Sequence, residues 1–313
     1  MLKLNELAAV TGRPIEDLQA DLSLGSVSRE VLREQIPPEV VRQQLQRHNL
    51  IGSNIIAAFI NLKGGTGKTT SAVTFAQRSC HYGRRVCVVD IDPQASASFM
   101  LASQDLGEAA SLIDIWDKPD EATTHLIEIN KELRLLPSSL DNSLLDLQLS
   151  KPGHQKNALR SCCSELLSNN DLIVVDCPPS LGAGVISTIC AADLLVIPTT
   201  ADRFALRGIE LTISETTAIA ETFGLEPPKI LILLTHYDRR IRMSKEVFSD
   251  LQKRYGDRVI GRPIRTSSNF AKALDARKTV FEISSAKKAQ NDYDYMTRIL
   301  LNLSDNAGDK PIP

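Results

Sequence analysis

Residues 61–70 read NLKGGTGKTT, set between an apolar run at 55–60 and a stretch at 68–82 whose apolar residues recur with helical spacing. Three glycines, Gly64, Gly65 and Gly67, let the backbone bend so that successive N–H groups point inward around an anion. A helix opening near Lys68 adds the positive end of its dipole at the same place. Lys68 supplies a point charge to a phosphate chain, and the Thr69 hydroxyl is a ligand for a divalent cation. Thr66 and Thr70 complete a segment in which strand, glycine-rich turn, lysine and hydroxyl follow in the order that a phosphate loop requires.

Outward from the loop, short runs at 55–62, 86–91, 172–176, 194–198 and 230–235 are apolar on both faces. Strands that lack polar alternation belong inside a sheet covered on each side. Longer amphipathic stretches at 68–82, 155–168, 205–223, 244–255 and 289–301 alternate with them and predict helices. The pattern is that of an α/β, doubly wound, mostly parallel sheet with helices on both faces, occupying 53–302. Residues 1–52 are helical in pattern and offer no strand candidate. Within them, 6–21 (ELAAVTGRPIEDLQAD) have the spacing of a helix-turn-helix or of a small dimerisation element. Glu16, Asp17 and Asp21 stand where a base-reading helix would carry basic or amide groups, which favours packing over base reading. Residues 303–313 are polar with Gly and Pro and are expected to form a flexible tail.

Composition sets the limits. Hydrophobic residues are 42% and charged residues 24% of 313, the balance of a globular chain, and 36 Lys and Arg against 38 Asp and Glu exclude a uniformly basic protein. No apolar run approaches the ~18 residues that cross a bilayer, and the first residues lack a signal-peptide pattern, so a cytoplasmic location is expected. The six cysteines form no C-x-x-C pair and the five histidines no H-x-x-x-H, which points to reduced core thiols rather than a metal cage.

The loop departs from G-x-x-x-x-G-K-[ST] at Leu62, and a second lysine, Lys63, precedes the glycines. A lysine at the loop's mouth is badly placed for its own nucleotide but well placed to reach a neighbour's phosphates. This K-G-G-x-G-K-T-T form resembles the deviant Walker A loop of the family that holds the ParA partition ATPases, MinD and the nitrogenase iron protein. Residues 89–95 (VDIDPQA) resemble the same family's D-x-D-P-Q segment, and the resemblance implies that Asp92 positions the attacking water. On the residues alone, Asp90 and Asp92 either face the phosphate loop or cap the following turn. Residues 173–180 (IVVDCPPS) read as the Walker B strand, with Asp176 expected to hold Mg²⁺ through water, beside Thr69. Residues 192–208 and 234–244 (LTHYDRRIRMS) also resemble the ParA pattern, and the likeness spans about 54–301. At 264–273 (IRTSSNFAKA) the chain lacks the Pro, Asn and Glu that the family phrase carries.

Residues 229–290 hold 15 Lys and Arg against 6 Asp and Glu, a local basic excess suited to DNA phosphates without base reading. Arg239, Arg240, Arg242, Arg265 and Lys272 are candidate contacts; the resemblance implies that Arg240 lies on the DNA face. It further implies ATP with Mg²⁺, a nucleotide-bound homodimer, non-specific double-stranded DNA and a ParB-like partner that stimulates hydrolysis, in a nucleoid-associated, cytoplasmic protein. Lys63, Lys68 and Asp92 are the expected catalytic set. The alternative is a MinD-like switch that positions another cargo or acts at a membrane, for which 296–303 (MTRILLNL) carries only one arginine.

Overall fold

A computed structural model of the chain describes residues 1–22, 35–102, 106 and 109–303. The N-terminal segment holds β1 (Leu2–Lys3), α1 (Leu4–Thr11), α2 (Ile15–Asp21), β2 (Gln35–Ile36) and α3 (Pro38–Arg47). There follow β3 (Ile55–Phe59), α4 (Lys68–His81), β4 (Val86–Asp90), α5 (Ser96–Leu101), α6 (Leu112–Ile115), β5 (Ile127–Glu128), β6 (Leu133–Leu136), α7 (Leu145–Gln148) and α8 (Pro152–Leu166). The chain continues with β7 (Leu172–Asp176), α9 (Ala183–Ala191), β8 (Leu194–Thr200), α10 (Ala205–Thr222), β9 (Lys229–Thr235), α11 (Arg242–Tyr255), α12 (Asn269–Asp275) and α13 (Lys287–Leu300).

Seven strands form one sheet in the order β5-β6-β4-β7-β3-β8-β9, parallel throughout except for β5 against β6. The apolar runs split by alternation onto the sheet's two faces. Ala57 and Phe59 of β3, Val86 and Val88 of β4, and Leu172 and Val174 of β7 join one buried cluster with residues of α4 and α13. Ile56 and Ala58, Cys87 and Val89, and Ile173 and Val175 join the other, with α8 and α9. All six cysteines are free and buried.

The N-terminal segment departs from the strandless reading: β1 pairs antiparallel with β2, Leu2 opposite Ile36. Each strand is only two residues long, too short for a periodic signal. Gly12, at φ 67°, ends α1 in the left-handed region, and Pro14 precedes α2, so the helix-turn-helix spacing does give two helices. Leu2, Leu4, Leu7, Leu18, Val41 and Leu45 then bury themselves in the same cluster as α4. The tail expected over 303–313 lies, from Ser304 onward, outside the described residues.

Candidate nucleotide site

Strand register assembles the site. Phe59 is opposite Asp176, and Asp176 opposite Asp90, so the ends of β3, β7 and β4 are level at the carboxyl edge of the sheet. The loop from β3 to α4 starts there. Asn61 ties it to β8 by donating its Nδ2–H to the Pro198 carbonyl (2.7 Å), while its Oδ1 accepts the Lys63 N–H (2.9 Å). On the other side, the Thr235 hydroxyl at the end of β9 lies 2.9 Å from the Thr66 carbonyl and 3.0 Å from that of Thr199. Gly65 (φ 71°) and Gly67 (φ 83°) adopt left-handed backbone, the conformation that turns the loop's N–H groups inward.

Lys68 is 7% exposed and its Nζ arcs back over the loop to the Lys63 carbonyl (3.2 Å). Burial lowers its pKa, and the neighbouring carboxyl groups of Asp176 and Asp92 oppose that shift. Thr69 and Thr70 occupy the first turn of α4, and Gly64 lies exposed at the loop's tip. Lys63 points away from the loop that Lys68 fills. Its side chain is 49% exposed, and its Nζ pairs with Asp202, just past β8.

The three aspartates differ in environment. Asp90 is the capping carboxylate: it accepts the Ser98 N–H (2.8 Å), the Ser98 hydroxyl (2.7 Å) and the Asp92 N–H (3.1 Å), and so fixes α5. Asp176 is fully buried and neither carboxylate oxygen meets a donor in hydrogen-bonding geometry, although Thr69 is near enough to favour its charge. Burial first, and then the Asp90 charge, push it well above the usual carboxylate range. Buried carboxylates without donors are rare and expensive, and this one fits a divalent cation shared with the Thr69 hydroxyl. Asp92 is 8% exposed; its Oδ1 accepts the Gln94 N–H (2.9 Å), so it both shapes the following turn and borders the loop electrostatically.

The basic candidates are not equivalent. Arg239, Arg240, Arg265 and Lys288 line one open cleft of about 400 Å³ beyond β9. Arg239 is exposed and makes no ion pair among the described residues, as is true of Lys272 on α12. Arg240 pairs with Asp238, and Arg242 with Glu246 one helical turn on, both arginines remaining exposed. Arg265 is different: Asp292, fully buried, takes its Nε–H (2.8 Å), Nη2–H (2.6 Å) and backbone N–H (3.2 Å). Its charge is compensated inside the protein, which sequence spacing could not show. Asp202 and Thr235 carry no motif signal of their own, although both fall in segments quoted above, because their roles depend on strand ends meeting in space.

A phosphate loop at the carboxyl edge of a parallel sheet, with a donorless carboxylate on the neighbouring strand, defines a P-loop NTPase. Residues 53–226 match the AAA domain family. The chromosome partitioning protein ParA of Caulobacter vibrioides is 30% identical over 224 residues, 68% of this chain and 82% of that protein. The cell division protein PomZ of Myxococcus xanthus is 26% identical over 239 residues, 76% of this chain and 75% of that protein. A structure of Cyanothece McdA in complex with ATP shares the fold, with a TM-score of 0.72 at 21% identity over 81% of this chain and 98% of that one. The chain belongs to this family as a ParA-type ATPase of the ParA/MinD superfamily.

Proposed function

We propose that this protein is a DNA segregation ATPase in which Mg-ATP drives two copies together and the dimer holds non-specific double-stranded DNA until hydrolysis, stimulated by a ParB-like partner, releases it. The observation that carries the reading is the division of labour between two lysines of one loop. Lys68 is buried inside the loop, where it serves its own phosphates; Lys63 stands at the mouth, half-exposed and paired with Asp202 rather than turned into the loop, where a second subunit's nucleotide can use it. Residues 63–70 hold the phosphates, and Thr69 with Asp176 hold magnesium, which when bound offsets charge on the phosphate chain. Asp92 orients a water against the terminal phosphate, and Asp90 keeps the Asp92 turn in place through α5.

The cycle needs two states with different contacts, and a terminal phosphate gripped from both sides supplies the difference, since hydrolysis removes it. The exposed Arg239, Arg240, Arg242 and Lys272 provide a cationic surface for DNA. The test is the molar mass and DNA retention of the protein with magnesium and a hydrolysis-resistant ATP analogue. Wild type should dimerise and retain DNA, and Lys63→Ala should lose both; a wild type that stays monomeric refutes the reading.

PomZ's name favours a second reading, the same switch serving a cargo other than a partition complex. Nothing favours the membrane form. Met296, Leu300, Leu301 and Leu303, apolar residues of the one candidate segment, are buried in the core, and no described helix is long and apolar enough to span a bilayer.

A further inference from the structure

We infer that Asp202 is a positioning residue that holds Lys63 at home, so that dimerisation must first exchange an internal ion pair for a phosphate on the other subunit. This deepens the function proposed above and rests on it. The main chain of Lys63 is fixed at both ends: Asn61 Oδ1 accepts its N–H (2.9 Å) and Lys68 Nζ bonds its carbonyl (3.2 Å). Only the side chain is left to swing. Its Nζ meets Asp202 Oδ2 and lies 3.4 Å from the Thr200 hydroxyl. The Asp202 carboxylate is itself held, by the Phe204 N–H on Oδ1 (2.9 Å) and by the Thr200 hydroxyl on Oδ2. Departure of the lysine therefore leaves both carboxylate oxygens with a donor, and the exchange strands no polar group.

The pair is also placed to be exchanged rather than permanent. The side chains are 49% and 32% exposed, so water and salt screen their attraction and the latch is shallow. A phosphate chain carries more charge than one carboxylate and accepts the same ammonium more strongly. Asp202 thus sets a threshold, keeping Lys63 occupied until a second nucleotide-loaded loop arrives.

The experiment compares wild type, Asp202→Asn, Asp202→Glu, Lys63→Ala and the Lys63→Ala/Asp202→Asn double variant, titrating ATP analogue with magnesium and reading dimer by light scattering at low and high salt. Asparagine keeps the Phe204 bond on its Oδ1, can donate its Nδ2–H to the Thr200 hydroxyl oxygen, and removes both the charge and the acceptor that hold Lys63. It should lower the half-maximal analogue concentration about two- to five-fold at low salt, the range of an exposed ion pair, and less at high salt. Asp202→Glu should return toward wild type, and the Lys63→Ala/Asp202→Asn double variant should stay monomeric like Lys63→Ala, because freeing the latch helps only where the lysine is present. An unchanged or raised threshold in Asp202→Asn overturns the inference, as does dimer in the double variant where Lys63→Ala alone gives none, since Asp202 would then act other than through Lys63. A wild type that never dimerises sinks the parent reading instead, so the two failures are distinguishable.

Discussion

At the scale of the residue, Asp176 is where sequence chemistry and physical environment meet most sharply. Its carboxyl is pushed above the usual range by burial and by Asp90. A carboxyl whose pKa is raised on folding resists ionisation, so the stability it contributes is fully present below about pH 4, its unfolded value, and is lost as pH rises toward the folded one. The metal-free protein consequently forgoes that stabilisation at neutral pH, where burial and Asp90 disfavour the ionised form of Asp176. Asp176→Asn should raise the melting temperature of metal-free protein at pH 7 by about 2–4 °C, roughly 1–2 kcal/mol, and abolish the further stabilisation that magnesium and nucleotide give together. Thermal melts with and without the ligands check this; a variant less stable than wild type in their absence would show that Asp176 has a donor after all. The loop residues were legible because their chemistry is local: glycine, lysine and hydroxyl act where they stand. The contrast between Asp90 and Asp176 was not, since it depends on Ser98 bonding one carboxylate while the other has only Thr69 nearby, outside hydrogen-bonding geometry.

At the scale of the element, the question is what fastens the N-terminal segment to the sheet domain. Gly83, at φ 73° in the turn after α4, lies under α3 so closely that a Cβ there would be 2.7 Å from the Arg42 backbone nitrogen. Gly83→Ala would combine a left-handed alanine with a clash against backbone, and should cost about 2 kcal/mol or more, seen as a melting temperature several degrees lower. Beside it, Arg42 reaches Asp171, which also accepts from Arg85. Burial alone would raise the Asp171 carboxyl, but the hydrogen bonds from Arg42 and Arg85 outweigh it and hold the carboxyl well below its ordinary range. A depressed carboxyl stabilises above its unfolded pKa, near 4, and that stabilisation is lost as pH falls through the folded value. Arg42→Ala should therefore be about 1–2 kcal/mol less stable than wild type from neutral pH down to about 4, with the gap closing in stronger acid. Melts across that range would expose a gap that does not close. Five strands and five helices of the sheet domain were readable because each is long and strongly patterned. Others were hidden for identifiable reasons: α9 is buried almost all round and so shows no amphipathic stripe, while β5 and β6 are two and four residues long, with Arg134 inside the latter.

At the scale of the whole molecule, an overall charge of -2 coexists with a strongly basic stretch, and folding decides how much of that stretch can meet a polyanion. Arg239 is exposed and unpaired among the described residues, and the Arg240 side chain is 86% exposed despite its pairing with Asp238. Arg265, by contrast, is committed to the buried Asp292. The two kinds of arginine should respond differently to removal. If DNA is held through phosphates, log K falls linearly with log salt, with a slope of about -0.9 per phosphate neutralised. The Arg239→Ala/Arg240→Ala variant should weaken nucleotide-dependent DNA binding and flatten that slope by about 1 to 2, with little change in thermal stability. Arg265→Ala should instead strand a buried carboxylate, costing about 3 kcal/mol and lowering the melting temperature markedly. Its slope, measured below the melting range, should stay close to that of wild type. DNA titrations at several salt concentrations, run beside melts of the same preparations, separate these outcomes. Equal slopes for wild type and the double variant would move the DNA surface away from the β9–α11 connection, because two exposed cations there would then be neutralising no phosphate.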